Sequence, residues 1–130
     1  MSGDYNILVV DNNSINQFIL TEMLSYYDAS TDVAPSGSRA VEMVESGDYD
    51  AVFMDILMPG MTGIEAISAI RDMTLPKQPR IIAVSVSTSD KNINECRNAG
   101  ADDFLDKPIG INTLFAMLET HLPGIRHRSV

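Results

Sequence analysis

A doubly wound α/β sandwich, one parallel sheet covered by helices on both faces, is predicted by three observations. Short, purely apolar runs recur along the chain, segments of helical apolar spacing separate them, and the most apolar runs end in polar or glycine-containing clusters. Runs without internal polar residues suit strands buried on both faces, which parallel sheets require. Right-handed crossovers then bring every strand's carboxyl end to one edge, where such sheets bind ligands near the switch in strand order.

Ile7 to Val10 is the first buried strand, and Asp11-Asn12-Asn13-Ser14 after it supplies a helix cap at Asn13 or Ser14. From Ile15 to Tyr27 the positions Ile15, Phe18, Ile19, Met23 and Tyr26 recur at helical spacing and predict the face that packs on the sheet. A weaker strand spans Ala29 to Ala34; Ser36-Gly37 punctuates it before Ala40, Val41 and Val44 resume the helical period, which Gly47 ends. Ala51 to Met54 is the next buried strand, running into Asp55 and a loop with Pro59, Gly60 and Gly63. Ile64, Ile67 and Ile70 mark a helix, with Pro76 and Pro79 beyond it. Ile81 to Val84 is a third clear strand, followed by the small polar run Ser85 to Ser89. Ile93, Cys96 and Ala99 give a helix stopped near Gly100; Asp103 to Leu105 is a short strand. Ile111, Leu114, Phe115, Leu118 and Leu122 define a final helix closed by Pro123-Gly124. The expected core runs from about residue 6 to 122, within a single domain 1–130 that has a polar start and a short tail, 123–130.

Composition narrows the function. At 130 residues the chain is one domain of ordinary size, and its 45% hydrophobic content argues against disorder. Nine basic against 18 acidic residues give a net charge of −9, whose long-range field repels nucleic acid and anionic membranes. Arg126 and Arg128 are too short a basic tail to reverse this. A single cysteine, Cys96, excludes an internal disulfide and a multi-cysteine metal site. Met1 to Asn6 does not read as a signal peptide and no membrane span appears, so the reducing cytoplasm is the expected compartment. His121 and His127 lack companion ligands and read as structural.

Asp11, Asp55, Ser85 and Lys107 all fall at predicted carboxyl edges. If the first and third strands are neighbours, about 4.8 Å apart, the two carboxylates share one patch and need a counterion. Magnesium suits such a patch, because it takes oxygen ligands, needs only one or two protein carboxylates and keeps waters beside a phosphate. Lys107 adds a cation for a phosphoryl oxygen and Ser85 a hydrogen-bond donor. Together they suit phosphoryl transfer to Asp55.

The motifs Val9-Val10-Asp11-Asn12-Asn13, Met54-Asp55-Ile56-Leu57-Met58-Pro59-Gly60-Met61-Thr62-Gly63, Ala83-Val84-Ser85 and Phe104-Leu105-Asp106-Lys107-Pro108 occur in that order. In this the chain resembles the response-regulator receiver domain of two-component signalling, from Ile7 to about Leu122. The resemblance implies a flavodoxin-like (βα)5 sandwich of strand order 2-1-3-4-5. It implies that Asp55 is the phosphoacceptor, that Asp11 acts on magnesium largely through water, and that the Leu57 carbonyl ligates the metal directly. Ser85 matches the hydroxyl that contacts the phosphoryl group, Lys107 the phosphate-sensing lysine, and Phe104 the aromatic switch. The Lys107-Pro108 bond is cis in that family. The implied donor is a histidine kinase or a histidine phosphotransfer protein. The implied output is a partner reading the face of the fourth helix, fifth strand and fifth helix, from a monomer or a weak phosphorylation-dependent dimer.

Asn12 departs from the pattern, standing where that family places a second acidic metal ligand. Its amide oxygen still suits a hard cation, but a lost negative charge weakens magnesium binding. Thr62 replaces a common Asp at a turn, and Val86 replaces a small residue beside the hydroxyl, narrowing access to an acyl phosphate. Two other readings compete. A degenerate receiver would bind partners without phosphorylation because of Asn12. A haloacid-dehalogenase-type phosphatase would need a carboxylate two residues after the nucleophile, where this chain has Leu57. A flavin mononucleotide module is disfavoured by the negative Asp11 in the first loop.

Overall fold

The computed structural model describes residues 5–86 and 89–128. Ser87 and Thr88 of the predicted polar run, and Met1 to Asp4 of the predicted polar start, lie outside the described residues. Strands and helices alternate: β1 (Tyr5–Val10), α1 (Ser14–Leu24), β2 (Ala29–Ala34), α2 (Gly37–Ser46), β3 (Ala51–Asp55), α3 (Gly63–Arg71), β4 (Arg80–Ser85), α4 (Asp90–Ala99), β5 (Asp103–Asp106) and α5 (Ile111–His121). All strand pairs are parallel, in the order β2-β1-β3-β4-β5, so the order reverses between β1 and β3. This is the flavodoxin-like (βα)5 sandwich.

Period-two alternation divides the core. Leu8, Val10, Val52, Met54, Ile81 and Ala83 meet α2, α3 and α4 through Ala40, Val44, Ile67, Ile70 and Cys96. Ile7, Val9, Phe53, Ile82, Val84 and Leu105 meet α1 and α5 through Leu20, Leu24, Leu114 and Leu118.

The helices start where short polar side chains satisfy their free N–H groups. Asn13 accepts from Ile15 and Asn16, Ser36 from Arg39, and Ser89 from Asn92. Thr62, predicted only as a turn residue, is the cap of α3 and forms a reciprocal capping box with Glu65.

Helix α1 corrects the expected packing face. Ile15, Phe18, Ile19 and Tyr26 are exposed, and the helix buries Leu20 and Leu24 instead, with Tyr27 buried just beyond it. The helix ends at Leu24, and Ser25 is its C-cap, so it stops short of Tyr27. Its sequence carries two apolar stripes at helical spacing, and spacing alone does not choose between them.

Residues 125–128 are docked on the rest of the fold. Ile125 is buried, Asp28 N–H donates to the Arg126 carbonyl at 2.8 Å, and Arg128 N–H donates to that of Tyr26 at 2.7 Å. His127 stacks on Tyr27 with ring centroids 4.3 Å apart. Among the described residues no helix is long and apolar enough to cross a membrane.

Candidate functional site

The pairing of Val10 with Met54 sets the site, because the next residue on each strand is an aspartate. Asp11 and Asp55 emerge side by side at the carboxyl edge, where the strand order reverses, and both are buried, at 6% and 5% exposure. Lys107 reaches them from the end of β5. Its Nζ lies 3.0 Å from Asp11 Oδ2 and 3.4 Å from Asp55 Oδ2. Its backbone N–H donates to the Ser85 carbonyl at 2.9 Å, fixing the loop to β4, and the following peptide bond to Pro108 is cis.

The carboxylates are further oriented by backbone. Asn13 N–H donates to Asp11 Oδ1 at 2.9 Å and Leu57 N–H to Asp55 Oδ1 at 3.3 Å. Gln17 Nε2, one turn into α1, donates to the Asp11 carbonyl at 2.6 Å. A Cβ on Gly63 would stand 2.2 Å from the Asp55 carbonyl oxygen, so only glycine lets α3 start this close to the site. Burial raises the Asp55 carboxyl pKa above its ordinary value; Lys107 opposes that rise and the Asp11 charge adds to it.

A cavity of about 480 Å³ opens beside these groups, lined by Asn16, Ile19, Leu20 and Met23 of α1, by Val86, and by Pro108 and Ile109. Val86 is 66% exposed at its rim. A second, open groove of about 580 Å³ lies at the opposite, amino edge of the sheet. Its charges are already partnered, Arg71 with Asp102 and Lys77 with Asp50, and it holds none of the strand-end carboxylates.

The donor chemistry fits a hard divalent cation of the magnesium type: two buried carboxylates on one edge, with the Asn12 amide next to Asp11 and the Leu57 carbonyl two residues after Asp55 in the chain. Asn12 is exposed, and no group of three acidic, histidine or cysteine side chains suited to a metal occurs among the described residues. The pocket therefore offers two carboxylates rather than three.

Ser85 ends β4 and is almost fully buried, but by strand alternation it shares the α4 side with Ala83, whereas Asp55 belongs to the opposite parity with Phe53. Its hydroxyl accepts from Asn92 Nδ2 at 3.5 Å. Phe104 is partly buried against the same α3–α4 cluster. His121 pairs with Asp103 at 2.9 Å, and His127 belongs to the aromatic cluster of Tyr27 and Phe115. Asn92, Gln17 and the exposed α1 stripe escaped the sequence reading. Nothing in the sequence pattern marks Asn92, because its approach to Ser85 depends on where the first turn of α4 lands.

Fold and site together define a strand-edge phosphoryl-handling module. Residues 7–119 match the response regulator receiver domain family, and the chain belongs to it. Such domains accept a phosphoryl group in two-component phosphorelays and assist their own modification rather than turning over a separate substrate. The chain is 36% identical over 128 residues to hybrid signal transduction histidine kinase B of Dictyostelium discoideum, covering 89% of this chain and 6% of that protein. It thus spans a small part of that relative's length. It is 28% identical to the receiver domain of the Pseudomonas aeruginosa sensor histidine kinase PA1611, solved with magnesium coordinated in its active-site cleft. There the TM-score is 0.84 and the match covers 92% of this chain and 98% of that one. It is 29% identical to a chain in the Saccharomyces cerevisiae complex of the phosphotransfer protein Ypd1 with the receiver domain of Ssk1. That TM-score is 0.85, with 92% and 89% covered.

Proposed function

We propose that Asp55 accepts a phosphoryl group from a phosphohistidine on a histidine kinase or a histidine phosphotransfer protein. The observation that carries this is Lys107 Nζ held between the Asp11 and Asp55 carboxylates. An Asp55 oxygen attacks phosphorus, the P–O bond forms as the P–N bond breaks, and the leaving imidazole takes up a proton. Asp11, Asn12, Asp55 and the Leu57 carbonyl would hold magnesium, which would supply positive charge to the transferring group. Lys107 then turns its charge to the new phosphoryl oxygens, and Ser85 donates to one of them. Ile19, which lines the cavity, and Ile15 and Phe18, exposed on the same helix, offer the donor an apolar landing.

The phosphoryl group carries a charge of about −2 where the carboxylate carried about −1, and this change biases a packing equilibrium through Ser85 and Phe104, the α4-β5-α5 face carrying the result to an output partner. Such a partner and donor belong to the cytoplasm, the compartment in which the lone buried Cys96 stays reduced.

The test is incubation with acetyl phosphate across a magnesium titration, followed by intact-mass measurement. Wild type gains one hydroxylamine-labile phosphoryl group, Asp55→Ala gains none, and Asn12→Asp reaches half-modification at about tenfold lower magnesium, equivalent to about 1.4 kcal/mol. Absence of the adduct at every magnesium concentration refutes phosphoacceptance. The two-carboxylate pocket would then favour the second reading, a receiver that binds partners without being phosphorylated.

A further inference from the structure

Phosphoryl transfer to Asp55 uses only one end of the cavity beside it. The polar side chains in its lining are Asp11, Asn16, Asp55 and Lys107, all at the carboxyl edge, and the remaining lining is apolar. Sheet parity makes the two parts continuous. Val9, Phe53 and Val84 point to the α1 and α5 side, and two residues further along the same side stand Asp11, Asp55 and Val86. The row of side chains that carries the nucleophile is therefore the row that floors the apolar part.

The walls come from α1 and from the loop after β5. Ile19, Leu20 and Met23 follow Asn16 down the helix, and Asn16 and Met23 are about two turns, or about 10 Å, apart. Pro108 and Ile109 add to the lining from the loop. Met23 and Ile109 are only partly buried against the neighbouring core, so both can adjust to an occupant, and the unbranched thioether does so at little cost. At about 480 Å³ the cavity falls in the range of pockets that take small organic ligands, about 300–1,000 Å³.

An in-line transfer sets the leaving group opposite the attacking Asp55 oxygen, on the far side of phosphorus. Asp55 and Lys107 are themselves part of the lining, so a phosphorus seated before them has the cavity in front of it. We propose that the apolar part is a leaving-group pocket, through which Asp55 also accepts a phosphoryl group from small acyl phosphates that carry an apolar chain, in preference to acetyl phosphate. An Asp55 oxygen attacks phosphorus, the new P–O bond forms as the P–O bond to the acyl group breaks, and the electron pair leaves on the departing carboxylate. One acyl phosphate is exchanged for another, so no proton, oxidant or reductant is needed. The proposal rests on the phosphoacceptor reading and adds to it a class of small donor.

The experiment compares acetyl, propionyl and butyryl phosphate on the full chain at saturating magnesium, with intact-mass measurement of the adduct. The leaving carboxylates are nearly equal in basicity, so phosphorus is equally reactive in each donor and differences report the chain. A methylene moved fully from water into an apolar site is worth about fourfold in binding. One side of this cavity is open, so about threefold per methylene is expected, and butyryl phosphate modifies Asp55 about tenfold faster than acetyl phosphate at low donor concentration. The gain lies in the apparent dissociation constant, and the rates at saturating donor converge, because the chain is held alike before and during transfer. Met23→Gln, which keeps the side-chain length and makes the wall polar, and Ile109→Phe, which fills the space, each bring the butyryl-to-acetyl ratio to about one. Phosphoramidate, which has no acyl chain, is run on every variant to normalise for changes at Asp55 itself.

A wild-type ratio below about threefold overturns the proposal. So does a raised ratio that both variants leave intact, since the chain then binds elsewhere. If acetyl phosphate and phosphoramidate also leave Asp55 unmodified, phosphoacceptance itself fails and the proposal fails with it. Modification by those two donors with no gain from the longer chain strikes out the pocket alone.

Discussion

Replacing Lys107 with methionine removes the cation that bridges Asp11 and Asp55 while keeping most of the side-chain volume. At an effective dielectric constant of about 20, charge pairs at 3.0 and 3.4 Å are each worth about 5 kcal/mol in gross Coulomb terms. Much of that is offset, because Lys107 no longer has to be desolvated, at 18% side-chain exposure. What remains is two buried carboxylates without a counter-charge, a circumstance that costs about 3 kcal/mol at a site open on one side. For a domain of this size the loss corresponds to a fall in Tm of about 10 °C. Asp55 is already raised by burial and by the Asp11 charge, and without Lys107 the opposing influence is gone. A carboxyl with a raised folded-state pKa contributes stability that is fully present at low pH and is lost as pH climbs through that pKa. The deficit of Lys107→Met should therefore be largest in chelator at neutral pH, shrink toward about pH 4, and shrink again when magnesium is added. Urea unfolding at a series of pH values with and without magnesium measures this. A deficit below about 1 kcal/mol at neutral pH, or one indifferent to both pH and magnesium, refutes the bridging role.

Val86→Ala widens the cavity rim and should speed both phosphoryl uptake from acetyl phosphate and hydrolysis of the adduct by about threefold; unchanged rates would reject the steric argument. Arg71 donates to the Gly100 and Pro79 carbonyls, to Gln78 and to Asp102, all at 2.8–2.9 Å, so Arg71→Ala should cost about 3 kcal/mol in urea unfolding. Arg39→Ala, which breaks only an exposed ion pair with Glu42, should stay within about 0.5 kcal/mol of wild type. Burial and a 2.6 Å hydrogen bond to Asp32 push the Tyr49 hydroxyl up to about 12. Its stabilisation is complete below its unfolded value of about 10 and is lost as pH rises through 12. Stability should thus fall over that alkaline interval less steeply in Tyr49→Phe than in wild type.

The centre of the sheet was readable because its strands, covered on both faces, are apolar throughout: Ile7–Val10, Ala51–Met54 and Ile81–Val84 announce themselves, and the aspartates and serine that follow mark the carboxyl edge. Asp11 and Lys107 are 96 positions apart, yet a rule about crossovers was enough to put them on one edge. Helix α1 was not readable in the same way. Its apolar residues outnumber what the sheet can cover, so the stripe of Ile15, Phe18 and Ile19 competed on equal terms with that of Leu20 and Leu24. The buried stripe is the one that joins Ile7, Val9 and Phe53 of the sheet in one cluster, a tertiary fact that spacing does not contain. The docked tail was hidden for a related reason, since Ile125 and His127 gain their partners only once Tyr27 and Phe115 stand next to each other.

The site residues illustrate a division that follows from the same physics. Asp11, Asp55 and Lys107 act through charge, which works at the open edge of any parallel sheet and leaves a trace in the sequence as acid, acid and base after apolar runs. Ser85 and Asn92 meet through the direction of a single hydroxyl, which depends on strand parity and on where the first turn of α4 lands. A parity shift of one residue at the end of β4 would turn Ser85 toward Asp55 and leave Asn92 facing an apolar side chain. The same strand would still read as apolar and the same serine would still follow it. Direction of this kind therefore becomes visible only in three dimensions.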